Sequence, residues 1–353
     1  MNPPPGPVAV FLPGWVGDAV MATPALRALR DWSGGAGMVA VGKPAPLATL
    51  AGSDFFDESI TTGAGGLSGI WSAAGALRAF RPRVAALLSN SFRVALIASL
   101  AGCRHRVGMD MHGRGWLLTR SLRPERDGSG RRAIVPALVD YNRIASACGA
   151  PWPGGSLELG LAPADIALAD GVFGHSALAG RDVVILNPGA AFGAAKFWPA
   201  ESFSALAASL AETGRGVLVL CGPAEAALAR SIAAAAGSPA VAALPDVSDG
   251  KLSLGLSKAC VARAALLVTT DSGPRHFAHA FGRPVITLFG PTHIGWTETW
   301  HRGALHVQKP QPCGPCQKRV CPEGHHRCMT SILPGEVFAA AMGLLRGAER
   351  RAG

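Results

Sequence analysis

Short apolar runs recur along this chain, each closed by a polar or glycine-rich turn and followed by a stretch with helical spacing. The clearest unit lies in the last third. Residues 264–268 (Ala-Ala-Leu-Leu-Val) are uniformly apolar and read as a strand buried on both faces of a parallel sheet. The turn Thr269-Thr270-Asp271-Ser272-Gly273 follows. A helix is predicted from about 273 to 282, and the run 285–289 (Val-Ile-Thr-Leu-Phe) is the next strand.

The same alternation runs through the rest of the sequence. Strands are predicted at 8–12, 38–41, 84–88 and 104–107, with helical stretches from the Gly17-Asp18 turn to about 30 and over 70–80, 92–101 and 134–148. The pattern breaks at Ala150-Pro151-Trp152-Pro153-Gly154-Gly155, and one more helix fits 163–180. Strands at 183–186 and 216–220 and helices at 200–212 and 252–262 then repeat the plan. An amphipathic helix over 334–346 closes the chain. Alternating β and α signals predict an α/β fold with doubly wound parallel sheets. At 353 residues, two domains are expected: 1–160 and 181–333, joined by a linker region at 161–180, with 334–353 as a terminal helix.

Composition narrows the class. Hydrophobic content of 49% marks a folded globular chain, and a single Tyr beside 45 Gly argues against an all-β sandwich. The net charge of +10 fits an anionic partner, but an Arg-rich composition produces the same charge without one. No uncharged apolar run reaches membrane-spanning length and the first residues lack a signal-peptide pattern, so a cytoplasmic protein is expected. Arg104, Arg106, Arg114, Arg120, Arg123, Arg126, Arg131 and Arg132 crowd a weakly periodic stretch, read as a basic loop region. It is either a solvated surface or an anion-binding rim.

Three strand ends in the second half carry polar groups suited to a nucleotide. These are the glycine loop leading to Lys196, the Gly222-Pro223-Ala224-Glu225 turn, and Asp271-Ser272-Gly273. Glycines let backbone N–H groups approach phosphate, Lys196 supplies a point charge, and Glu225 can accept from ribose hydroxyls. Asp271 or Ser272 can equally be a helix cap. Asp18 stands at the matching position of the first half, where it can cap a helix or act as a general base. The chain has no Walker A pattern, no Gly-x-Gly-x-x-Gly after a strand and no Asp-x-Asp.

Gly14-Trp15-Val16-Gly17-Asp18, Pro188-Gly189 with Lys196-Phe197-Trp198-Pro199, and Asp271-Ser272-Gly273 with His276 and Phe289-Gly290-Pro291-Thr292 resemble glycosyltransferase family 9, over about 8–345. Within the family the motifs look like those of the ADP-heptose:lipopolysaccharide heptosyltransferases, type II above all. The resemblance implies a GT-B fold, two Rossmann-like domains facing a central cleft, with the C-terminal helix often returning to the first domain. It implies an inverting transfer of heptose from ADP-heptose to the lipopolysaccharide inner core. Asp18 would be the general base. Lys196, Glu225, Asp271, Ser272, Gly273 and His276 would bind the donor, with no cofactor needed for transfer. The anionic acceptor would meet Arg114, Arg120 and Arg123 at the inner face of the inner membrane, where the protein would be peripheral. Pro274 and Arg275 depart from the small or apolar residues the family carries there, and 241–250 fits poorly. Another nucleotide sugar or acceptor is the alternative within the class. A zinc-dependent nucleic-acid-binding protein and a dinucleotide oxidoreductase are the alternatives outside it. Basic residues spread over both halves and the missing glycine fingerprint count against these two, so no nucleic-acid partner is expected.

Cys313, Cys316, Cys321 and Cys328 lie within one loop that also holds His325 and His326. In a reducing compartment this spacing suits a structural zinc remote from the chemistry, with His325 or His326 able to replace one thiolate. An iron–sulfur site and a set of free thiols are the other readings.

Overall fold

The computed structural model describes residues 6–63 and 65–352, which fall into two compact units. The first comprises Met1–Gly160 and Gly295–Thr299, the second Leu161–Ile294 and Trp300–Gly353.

The first unit holds β1 (Val8–Phe11), β2 (Met38–Gly42), β3 (Glu58–Thr61), β4 (Val84–Leu87), β5 (His105–Met109) and β6 (Arg120–Leu122). They form one parallel sheet in the order β3-β2-β1-β4-β5-β6. The second unit holds β7 (Val183–Asn187), β8 (Gly216–Val219), β9 (Val241–Ala243), β10 (Leu266–Thr270), β11 (Val285–Phe289) and β12 (Ala304–Gln308). Its sheet is also parallel, in the order β12-β11-β10-β7-β8-β9. Taken from its other edge, this is the same plan as the first sheet. Each sheet therefore reverses its winding between its first and fourth strands, the β1/β4 and β7/β10 pairs. Connections diverge there and leave room for a ligand beyond the carboxyl ends.

The inner strands are those the apolar runs predict, and all but β5, whose start is exposed, are buried along their whole length. The strands not predicted, β3, β6, β9 and β12, are the four sheet edges. Edge strands are short and often polar, so Glu-Ser-Ile-Thr of β3 and Arg-Ser-Leu of β6 carry no apolar run to read. The predicted basic loop accordingly contains β5, a 3-10 turn at Gly115–Leu117, and β6.

Two further expectations change. The helix Pro163–Gly174 lies within the expected linker region, but it packs closely on the helix Leu254–Arg263 of its own unit. A Cβ added at Gly255 would meet the Asp165 carboxylate at 2.2 Å. The C-terminal helix Pro334–Ala352 joins the second unit's core and not the first unit's. Val337, Ala341 and Leu345 form a stripe four residues apart, buried with Leu206 and Leu210 of the helix Ala200–Glu212.

Candidate active site

In the second unit the polar groups gather at the switch point. Burial of β7 and β10 forces their carboxyl ends to satisfy every polar atom internally, and they do so with one network. Asn187, the last residue of β7, donates from Nδ2 to Thr269 Oγ1 at 2.9 Å and to Ser272 Oγ at 3.0 Å. Thr270 Oγ1 donates to the Gly189 carbonyl at 2.9 Å. These bonds lock the turn after β10 to the turn after β7. Asn187 lay in plain sight at the end of an apolar strand, but a single Asn has no spacing signal.

Lys196 comes from a 3-10 turn, Ala194–Lys196, in the loop after β7. It is 8% exposed, and its Nζ donates to Asp271 Oδ2 at 2.5 Å and to the Asp271 carbonyl at 2.8 Å. Thr292 Oγ1 donates to the same carboxylate oxygen at 2.7 Å, and Arg275 lies 3.4 Å from the other one. Burial alone would raise the Asp271 carboxyl. The Lys196 and Arg275 cations, with the hydrogen bonds from Lys196 and Thr292, outweigh it and hold the group at about 2. Lys196 is thus a partner of Asp271 rather than the solitary cation expected from the sequence. Arg275, flagged as a departure, is buried and stacks over the Phe289 ring, so it belongs to the same network.

The helix Pro274–Ala280 begins at Gly273 with no side-chain cap, so neither Asp271 nor Ser272 serves as one. One turn in, His276 is 3% exposed and its Nδ1 has no hydrogen-bond partner. Burial and the adjacent Arg275 hold its pKa well below the usual 6.5, so it is neutral. Glu225 follows β8 and is half-buried. Its Oε2 accepts from the Gly222 N–H at 3.1 Å. Its other oxygen would lie 2.2 Å from a Cβ at position 189, so the carboxylate packs directly against Gly189. The structure therefore brings Lys196, Asp271, Ser272 and Gly273 together, with Glu225 on the far side of Gly189 and His276 just behind.

The cysteine-rich loop is not remote from this site, contrary to expectation. The Ala195 N–H donates to the Arg319 carbonyl at 3.0 Å, and His326 Nε2 lies 2.8 Å from the Ala195 carbonyl. Gly193, at φ +151°, has no room for a Cβ because the Arg319 carbonyl would be 2.5 Å away. The cysteine loop thus clamps the glycine loop that presents Lys196. All eight cysteines are free thiols. Cys313 Sγ lies 3.8 Å from His325 Nε2, yet among the described residues no three His, Cys, Asp or Glu side chains are set to hold a metal.

In the first unit, Asp18 lies in the helix Val16–Met21, directly after β1. Trp15 is the N-cap, and its side chain does not cap the helix. Asp18 Oδ1 accepts from the hydroxyl of Tyr141, the chain's one tyrosine, at 3.0 Å. Burial, then the Asp18 charge, raise the Tyr141 hydroxyl well above its usual 10, so it stays a donor. Nothing in the sequence links Tyr141 to a position 123 residues away.

The three candidate acceptor arginines separate. Arg114 is fully buried and cannot serve as a rim residue. Its guanidinium donates to the carbonyls of Met109, Ser89 and Ser91 and to Asn90 Oδ1. Burial pushes its pKa down to about 10. Arg120 Nη1 donates to the Ala147 carbonyl at 2.8 Å, whereas the Arg123 side chain is exposed.

Against known proteins, residues 70–327 match the family model Glycosyltransferase family 9 (heptosyltransferase). The chain belongs to glycosyltransferase family 9. This family 9 chain is 30% identical to lipooligosaccharide heptosyltransferase 2 of Campylobacter jejuni over 170 residues, 47% of this chain and 52% of that protein. The match thus spans about half of that relative's length. It is 28% identical to lipopolysaccharide heptosyltransferase 2 of Salmonella typhimurium over 347 residues, 96% of this chain and 98% of that one. The solved structure of E. coli ADP-heptose LPS heptosyltransferase II superposes with a TM-score of 0.78 at 24% identity, covering 97% and 99% of the two chains. The fold of this family 9 chain is therefore GT-B, as the motifs implied.

Proposed function

We propose that this protein is an inverting glycosyltransferase that moves a heptose from ADP-heptose to the lipopolysaccharide inner core. The observation that carries the reading is the buried Lys196–Asp271 pair at the β7/β10 switch point of a family 9 chain. The relatives named as heptosyltransferases support the sugar and the acceptor.

Each residue has a physical task in this reading. Asp18 takes the proton of an acceptor hydroxyl as that oxygen forms its bond to the anomeric carbon, and the bond from that carbon to the diphosphate oxygen breaks. Tyr141 holds the Asp18 carboxylate in place by its 3.0 Å hydrogen bond. The transition state is oxocarbenium-like and the leaving ADP gathers charge on its outer phosphate. Lys196, fixed by Asp271, meets that charge from a site already desolvated, where a cation is worth most. Glu225 and Ser272 supply acceptors for the nucleoside end. One displacement inverts the anomeric centre. Because the acceptor is lipid-linked, the reaction belongs at the cytoplasmic face of a membrane to which the protein binds peripherally. Among the described residues no helix is long and apolar enough to cross it.

A structural zinc on Cys313, Cys316, Cys321 and Cys328 is part of the proposal. The four-thiol spacing and the grip of the loop on Ala195 support it, because a closed metal site would stiffen the clamp without entering the reaction.

Mass spectrometry of the products from purified enzyme, ADP-heptose and heptose-deficient core acceptors tests the function. A heptose added to the core, with ADP released one for one, is expected. No transfer from ADP-heptose, with transfer from another nucleotide sugar, would replace the donor assignment.

A further inference from the structure

The first unit exposes a group of large apolar side chains that its own core does not use. Leu67 is 73% exposed, Trp71 59%, Phe92 40% and Trp116 74%. They come from three segments, the helices Gly66–Ala79 and Phe92–Leu100 and the 3-10 turn Gly115–Leu117. The three segments are joined at this point. Arg93 Nη1 donates to the Gly66 carbonyl at 3.3 Å, which puts the starts of the two helices side by side. The Phe92 and Trp116 rings sit 6.1 Å apart, which brings in the turn. Leu67 and Trp71 are four residues apart on one helix and so share a face, beside the buried stripe of Ala73, Ala74 and Leu77.

Position in the sheet gives the patch its meaning. The helices follow β3 and β4 and the turn follows β5, so in a parallel sheet all three begin at the carboxyl edge. Asp18, following β1, begins at the same edge. Of the twelve Arg in residues 62–133, Arg114 is buried and six stand at or before the amino starts of β4, β5 and β6, which leaves Arg93 and four others at this edge, beside Asp110, Glu125 and Asp127. Arg123, Arg126, Arg131 and Arg132 follow β6, again beyond the carboxyl edge, and all four are exposed. Exposed tryptophans rimmed by arginines are the composition of an interfacial surface. The indole settles among headgroups, the aliphatic and phenyl groups reach the acyl boundary, and the arginines meet lipid phosphate.

We infer that Leu67, Trp71, Phe92 and Trp116 dock the first unit on an anionic lipid bilayer, with the carboxyl edge that carries Asp18 turned toward the membrane. This deepens the proposed function, since it names the surface that would bring Asp18 to a lipid-linked acceptor, but it stands on the first unit's own residues.

Flotation of the full chain with vesicles decides it. Phosphatidylglycerol–phosphatidylethanolamine vesicles should carry the wild-type protein up the gradient, and pure phosphatidylcholine vesicles should leave it behind. The Trp71→Ala/Trp116→Ala variant should lose at least ten-fold in partition at unchanged melting temperature. Arg123→Gln and Arg126→Gln should each lose roughly five-fold at low salt. Trp152→Ala, exposed outside the three segments, should bind as wild type. Equal partition of the double variant and wild type overturns the inference, as does a wild type that ignores anionic vesicles. A wild type that sediments as a dimer, dissociated by the double variant, assigns the patch to a second copy instead. Failure of heptose transfer with vesicle binding intact would remove the proposed reaction and leave the docking surface standing.

Discussion

Lys196 Nζ and Asp271 Oδ2 are 2.5 Å apart, and each is delivered by the carboxyl end of a different strand, β7 and β10. The pair is at once a structural tie across the switch point and a donor-site cation held ready. These roles separate by mutation. Lys196→Met leaves the carboxylate buried with a weaker partner, and a loss of about 3 kcal/mol in unfolding free energy is expected. ADP affinity should fall at least ten-fold in calorimetry. Lys196→Met/Asp271→Asn should recover much of the stability, since no lone charge remains, while ADP binding stays weak. Recovery of both would show that Lys196 never touches the nucleotide.

Asp18→Asn should cut turnover by about 10²- to 10⁴-fold while ADP affinity stays at the wild-type value. Tyr141→Phe gives the finer test. Removing the hydroxyl takes away the 3.0 Å bond that orients the carboxylate, so kcat should fall several-fold with ADP affinity and the fold unchanged. An unchanged kcat would leave Tyr141 a packing residue only.

Arg114 and Arg123 should part company under the same substitution. Arg114→Gln removes donors from the buried Met109 carbonyl and from the partly buried acceptors of Ser89, Ser91 and Asn90, and a buried acceptor left unmet costs about 1–3 kcal/mol. The first unit should be destabilised by several kcal/mol in denaturant, with no specific change in acceptor KM for whatever folds. Arg123→Gln should leave stability within about 0.5 kcal/mol and raise acceptor KM at low salt. An acceptor effect confined to Arg114 would reverse the assignment.

The cysteine loop makes its own prediction. Protein purified without a histidine tag should carry about one zinc per chain, and a chelator should loosen the clamp on Ala195 and so weaken ADP binding. His326→Ala, which removes the bond to the Ala195 carbonyl, should weaken ADP binding by a few-fold on its own. Substoichiometric zinc and iron with four freely titrating thiols would dismiss the metal.

The fold was legible because burial writes itself into parallel strands. Runs such as Val-Ala-Val-Phe and Val-Ile-Thr-Leu-Phe are apolar end to end because both faces are covered. The edge strands β3 and β6 were invisible for the converse reason, and β9 because three apolar residues are too short a run to read. The site was legible where it lies on motifs at strand ends, as with Lys196, Asp271 and Asp18. It was not legible where contact joins distant, isolated residues. Asn187, Tyr141 and His326 each join the site through hydrogen bonds to residues far along the chain, and no local pattern reveals those partners. The interior place of Arg114 was hidden because a guanidinium reads as surface until four acceptors are found waiting for it. The role of the C-terminal helix was misplaced because an apolar stripe says that a helix is buried, not which core buries it.

The strand order carries a kinetic meaning as well. β7 pairs with β10 through Val184 and Leu266, and β1 with β4 through Val8 and Val84. Each switch point is thus closed by a pairing that must wait for a long loop to be gathered in, which places it late in folding and slows it. The pairing of longest sequence separation in the second unit's sheet is the one that brings Lys196 to Asp271. A partly folded chain can hold most of its helices and still have no nucleotide site, so ADP binding should appear in refolding only with the final phase.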